Sequence, residues 1–182
     1  MKHKILSNLL PLTIILFLFI CIFYSCKKDP STPSSSMTAS VAGQSTTFSN
    51  PYSFYSTHSQ FMEIGGQTSG DNYYALRFYI ANCPPSYIGT YHLGNNTYKS
   101  NASYATYSYN TAWIDGSYLT QWTYSTDSIH DGVLTITSYD PNYQNLSGTF
   151  TLTLYDYSLF SNDSGRISIT NGTFFSHLQT SY

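Results

Sequence analysis

The chain predicts an all-β domain: an antiparallel β-sandwich of about nine or ten strands, with a closed lipocalin-like β-barrel as the alternative closure. Three observations carry this. Residues 73–81 alternate, with Tyr74, Leu76, Phe78 and Ile80 on one face and Tyr73, Ala75, Arg77 and Tyr79 on the other. That is the period of a half-buried strand; a helix would scatter those four apolar side chains around its circumference. Nineteen tyrosines, with many Thr, Phe and Ile, suit a pleated surface, while the helix formers Glu, Lys, Ala and Leu are sparse. Finally, turn signals recur at short intervals between the apolar runs, the spacing of antiparallel sheets.

Each element follows from the same tests. Residues 37–41 and 44–48 flank Ala42-Gly43 and read as an opening hairpin. Residues 60–64 form a short strand ending at Gly65-Gly66. Residues 89–94 are a strand bracketed by glycines, 102–109 alternate aromatic with small residues, and 118–124 form another strand. Residues 133–139 and 149–155 are strands around a turn at Asp140-Pro141-Asn142, with Pro at its favoured second position. Residues 161–165 form a loop. Residues 166–170 and 173–175 are read as two strands joined at Asn171-Gly172, a pair that tolerates the positive φ of a type I′ hairpin.

Ahead of this domain, residues 1–25 have the three parts of a secretory leader. Met1-Lys2-His3-Lys4 is positive, an apolar stretch follows, and Ser25 supplies the small residue before a cut. The unbroken apolar core, 14–24, falls well short of the ~20 residues of a membrane-spanning helix, and Pro11 interrupts its extension. Phe23-Tyr24-Ser25-Cys26 resembles a relaxed lipobox, in which the cysteine becomes the lipidated first residue of the mature chain. Cys21 follows bulky Ile20 and does not fit. Lipidation at Cys26 implies attachment to a membrane, because several acyl chains at about 0.8 kcal/mol per buried CH₂ hold a protein stably. Residues 26–36 are then the lipidated cysteine and a Pro/Ser-rich tether, and 37–182 a single β domain large enough for its own core.

Composition excludes some functions and leaves others. The domain has only Cys83, so no disulfide forms within it. Its only Lys or Arg residues are Arg77, Lys99 and Arg166, too few and too scattered to replace counterions on a phosphate backbone, so no nucleic-acid partner is expected.

Cys26-Lys27-Lys28-Asp29, the strand beginning at Met37, Gly89-Thr90-Tyr91-His92-Leu93-Gly94, Leu146-Ser147-Gly148-Thr149-Phe150 and Ile169-Thr170-Asn171-Gly172-Thr173-Phe174 together resemble a family of Bacteroidota lipoproteins with one β-rich domain of unknown function. The resemblance spans nearly the whole mature chain and implies a lipid-anchored protein of the cell envelope, at the outer membrane. It carries no catalytic residues.

No motif for chemistry stands out. No Gly-x-Ser-x-Gly elbow occurs, and no His-x-x-x-His or Cys-x-x-Cys, so neither a metal nor a cofactor is expected. Asp127, His130 and Asp131 cluster in one stretch that reads as a solvated turn, and Cys83 before Pro84-Pro85 reads as a buried, inert thiol. Asp127-Ser128-Ile129 resembles the acceptor of Bacteroidota O-glycosylation, which makes Ser128 a candidate modification site. The aromatics are the suggestive feature. Tyr91, Tyr107, Trp113 and Trp122 lie among Ser, Thr and Asn, and an aromatic face with a polar tip makes a good contact surface. The expected function is therefore a non-enzymatic binding or structural module whose partner is a glycan or an envelope protein. A small envelope hydrolase and a lipocalin-like carrier of an apolar ligand are the alternatives.

Overall fold

The computed structural model describes residues 34–94, 102–114, 117–127, 131–156 and 165–181, with only the backbone for 111–121. The leader, Cys26, Ser128 and His130 lie outside these residues, as does the side chain of Trp113.

The described residues form ten strands and no helix: β1 (Ser36–Val41), β2 (Gln44–Ser56), β3 (Phe61–Gln67), β4 (Tyr73–Ile80), β5 (Gly89–His92), β6 (Tyr104–Ile114), β7 (Ser117–Ser125), β8 (Gly132–Asp140), β9 (Asn145–Asp156) and β10 (Arg166–Ser181). They join in one sheet of order β1-β10-β2-β3-β4-β6-β7-β9-β8-β5, with β1 also paired to β2 and β10 to β9. The all-β, antiparallel expectation holds. Among the described residues the one parallel pairing joins the ends of β10 and β2, from Leu178↔Ser53 to Ser181↔Ser56.

Following the pairings from β2 through β3, β4, β6, β7, β9 and β10 leads back to β2, so the sheet is ring-like. It is not a clean barrel. The β7–β9 step rests on Tyr124↔Asp156 and Ser125↔Tyr155 alone, and β5 hangs on β8 outside the ring. Across the interior the two sides pack as the layers of a sandwich do. Phe78 on β4 and Phe150 on β9 meet with ring centroids 4.8 Å apart, although β6 and β7 separate them along the sheet.

Side-chain alternation builds the core. β1 buries Met37, Ala39 and Val41 and exposes or half-exposes the residues between them. Met37, Met62, Ile64, Leu76, Phe78, Leu134 and Leu152 are essentially fully buried. Each such side chain contributes about 1.5–3 kcal/mol relative to exposure. A buried hydroxyl pair, Ser53 with Ser176, sits where β2 meets β10, so its polar atoms satisfy each other.

The opening turn is as expected, with Ala42 at φ 50° and Gly43 at φ 83°. At the β8–β9 turn, Asp140 Oδ1 accepts hydrogen bonds from the Asn142 and Tyr143 amides.

Three readings are corrected. First, Asn171-Gly172 does not form a hairpin: β10 runs unbroken through it. The pair instead forms a bulge, where the register with β9 shifts between Ile169 and Gly172 and Asn171 takes φ 52°. β1 and β9 flank both halves of β10, so their ladders hold the chain extended and the positive φ is absorbed locally. Second, β3 does not end at Gly65-Gly66. The Tyr52 ring covers Gly65, and Phe48 and Met37 pack on Gly66. Third, β2 continues past Phe48 through Pro51. Its register on β3 breaks between Ser49 and Tyr52, a bulge that accommodates the missing amide.

Gly148 has no room for a side chain. A Cβ there would lie 2.1 Å from the Thr135 carbonyl oxygen and 2.6 Å from the Phe174 ring. Because the first clash is with backbone, no rotamer relieves it. Gly148→Ala is expected to lower stability by at least about 2 kcal/mol, read as a lower urea midpoint at unchanged slope; an unchanged midpoint would refute this close packing.

Candidate functional site

At the head of β4 the burial inverts. Tyr73 and Ala75 are buried, with Ser108 and Asn110 buried beside them, while Tyr74 is 36% exposed. Tyr74 shares its face with Leu76 and Phe78 but lies beyond the apolar core, so it meets aromatic neighbours instead. Register aligns Tyr74 with Tyr109 and Tyr109 with Trp122; the next row aligns Leu76, Tyr107 and Tyr124. Paired residues point to one face of a sheet, so five aromatic rings collect there.

Their geometry is close. Tyr74 stacks on Tyr107 at 5.5 Å and 5°, and Tyr109 on Trp122 at 5.5 Å and 25°. Trp122 meets Tyr124 edge-on at 5.0 Å, and Tyr74 touches Tyr109 and Trp122 as well. Such pairs contribute about 0.5–1.5 kcal/mol each beyond area burial. No residue of the two rows carries a charge. Tyr107, almost fully buried at the base, has its phenol pushed well above the ordinary tyrosine value, by burial first and then by Tyr74 and Tyr124. It stays a neutral donor and acceptor.

Strand directions place this cluster. β1–β2, β3–β4 and β6–β7 connect at one end of the sheet, β2–β3 and β8–β9 at the other. Tyr74 is near the start of β4, at the first end. The chain enters β1 from the second.

The sequence-predicted residues divide. Trp122 and Tyr107 come together here. Trp113 pairs with Tyr118 along the β6–β7 ladder, but its side chain lies outside the described residues, as do Ser128 and Cys26. Tyr91 is elsewhere: its hydroxyl donates to the Tyr87 carbonyl and lies 3.4 Å from Cys83 Sγ. Tyr55 and Tyr139 pack edge-on against Tyr87 beside it. Cys83 is fully buried, and burial raises its thiol above the usual value, with the Tyr91 hydrogen bond opposing.

Tyr74, Tyr109 and Tyr124 were missed. Alternation puts Tyr74 on the face of Leu76 and Phe78, and 107, 109, 122 and 124 each fit a period of two. What was lacking was the pairing of β4 with β6, a long-range fact. A second group, on the opposite face, was also missed. There Tyr79 stacks on Tyr104 at 4.5 Å with Phe61 beside it, and Tyr52 donates to Glu63, which faces Arg77 at 4.0 Å. Burial, then Glu63, holds the Tyr52 phenol well above its usual value.

Among the described residues no group of three or more His, Cys, Asp or Glu could hold a metal ion. The described histidines fall on separate elements: His58 after β2, His92 on β5, and His177 on β10 with Nδ1 3.0 Å from the Tyr143 carbonyl.

Tyr52, Tyr91 and Tyr107 are raised above the ordinary 10.0 for tyrosine, and Cys83 above 9.0 for cysteine. Raised acids bind protons more tightly when folded, so their contribution is complete below these values and is lost as pH rises past them. The urea midpoint is therefore expected to start falling as pH rises beyond about 9, where Cys83 begins to contribute, and to fall further beyond about 10, with part of the tyrosinate absorbance developing only on unfolding. A midpoint level through that range, with all tyrosines titrating in the native state, would contradict the burial.

Comparison with family models, with curated proteins and with solved structures finds no match to this chain.

Proposed function

We propose that this chain is a lipid-anchored module of the bacterial cell envelope, held at the outer membrane through Cys26, that performs no chemistry and binds a neutral glycan on its aromatic cluster. The observation that carries the reading is the cluster itself. Tyr74 and Trp122 present partly exposed rings, held by ring contacts on adjacent strands, with no charge in the rows. Aromatic faces accept the apolar face of a sugar ring, and the phenol hydroxyls of the same cluster supply hydrogen bonds at its rim. A rigid sheet with packed rings lowers the ordering cost on binding.

The Lys-Lys-Asp after Cys26 and the resemblance in the strand motifs support the envelope assignment.

Two measurements test this. A fatty-acid probe fed to cells is expected to label the wild type and not Cys26→Ala; equal labelling removes the anchor. Short neutral oligosaccharides, titrated against intrinsic tryptophan fluorescence, are expected to bind, and Tyr74→Ala to weaken binding about tenfold, or ~1.4 kcal/mol. Binding unchanged in Tyr74→Ala and in Trp122→Ala would refute the assignment to the cluster.

A further inference from the structure

The outward face of the opposite side of the ring holds a feature that the aromatic cluster does not explain. Six threonines stand in cross-strand register on six adjacent strands. Thr90 on β5 opposes Thr135 on β8, which opposes Thr149 on β9. Thr149 opposes Thr173 on β10, which opposes Thr38 on β1, which opposes Thr47 on β2. Five of the six are exposed and Thr135 is half-exposed. At about 4.8 Å per strand the row runs about 24 Å across the sheet.

A cavity of about 450 Å³ opens in the middle of this row. Thr135, Thr149 and Thr173 line it, with Thr151, Val133 and Asn171 on the next positions; none of its lining residues is charged. The β10 bulge gives it its shape. Extra length at Asn171 turns that exposed amide out at φ 52° beside Gly172, where a regular strand would carry the threonine face on without interruption.

We propose that this face is a binding surface for an extended neutral polysaccharide, lying across the strands with one or two sugar units seated in the cavity. Four properties select that occupant. No Lys, Arg, Asp or Glu stands in the threonine row or lines the cavity, so a polyanion finds no cation there to replace its counterions. It is rich in groups that both donate and accept hydrogen bonds, which match sugar hydroxyls. It repeats at the strand spacing, and an extended pyranose chain advances by a similar length per sugar, so successive sugars meet equivalent threonines. The row and the cavity lining also contain none of the Trp, Tyr and Arg anchors that dominate protein–protein interfaces. Ordered ice is a poorer match. The hydroxyls of Thr90 and Thr135 approach to 3.2 Å and those of Thr38 and Thr173 to 3.1 Å, so they are drawn into pairs and not evenly spaced. The surface is separate from the Tyr74–Trp122 cluster and does not depend on it.

The test uses the full chain in detergent, run in native gels containing hydroxyethylcellulose, laminarin, xylan, mannan or amylopectin, with polygalacturonate as the charged control. At least one neutral polymer is expected to retard the wild type, and polygalacturonate is not. Thr149→Val combined with Thr173→Val keeps shape and strand preference while removing two hydroxyls, and is expected to weaken retardation at least fivefold. Asn171→Gly keeps the positive φ accessible and removes the amide, and is expected to weaken it as well. Unchanged melting temperatures establish that these variants are folded. Retardation that Trp122→Ala leaves intact and the threonine pair abolishes supports this surface and counts against the aromatic one. Retardation lost only in Trp122→Ala overturns this proposal and leaves the aromatic reading standing. No retardation by any neutral polymer, equal retardation by polygalacturonate, or inhibition of ice recrystallisation without retardation overturns it outright.

Discussion

The sheet closes through β10. This strand pairs with β9 along one edge, and on the other with β1 and then, past the start of β1, directly with β2. β1 is too short to accompany its neighbours along their length, so β2 and β10 must come together where it ends. That junction is the one parallel pairing among the described residues, and its buried Ser53–Ser176 hydroxyl pair is of the small size it admits. A straight strand could not follow β1 and β9 and then swing onto β2. The bulge at Asn171 adds local twist to β10 within its pairing with β1 and β9, and β10 meets β2 only from Leu178 onward.

This constraint explains why some elements were legible in the sequence and others were not. Short-range signals succeed where the determining contacts are local. The alternation of Leu76, Phe78 and Ile80, the Ala42-Gly43 turn and the Asp140 side chain capping its own turn are written within a few residues of where they act. Asn171-Gly172 is also a short-range signal, and it misleads. The pair does adopt positive φ at Asn171, as its chemistry predicts, but two flanking ladders decide between a turn and a bulge, and they are formed by residues more than a hundred positions away in β1 and about twenty away in β9. Gly65-Gly66 misleads similarly. The glycines mark a close approach by Tyr52, Phe48 and Met37, where the sequence alone suggests the end of a strand. The candidate site follows the same rule: Trp122 and Tyr107 could be singled out by type, but their assembly with Tyr74 required the β4–β6 pairing.

Low charge shapes both faces. A domain with three Lys or Arg residues cannot cover its exterior with ions, so tyrosine and threonine take that place. Tyrosine collects where β4, β6 and β7 rise beyond the apolar core, since a ring with a polar tip tolerates a boundary between dry and wet. Threonine collects on the outside of β8, β9, β10 and β1, where its methyl and hydroxyl suit an exposed pleat. The chemistry of each surface is thus set by its distance from the core, before any ligand is considered.

The same scarcity of basic residues bears on how such a domain meets its surroundings. With three Lys or Arg against eight Asp or Glu, the domain has little with which to steer an anionic partner. Contacts must then come from short-range stacking and hydrogen bonds, which need a partner brought near and held in register. The proposed anchor at Cys26 would raise the local concentration of anything sharing the membrane, and a rigid sheet presents its rings and hydroxyls at fixed spacing. A neutral, repeating ligand draws on both advantages: each unit adds a weak contact of the same kind, and the strand spacing sets how many can be made at once.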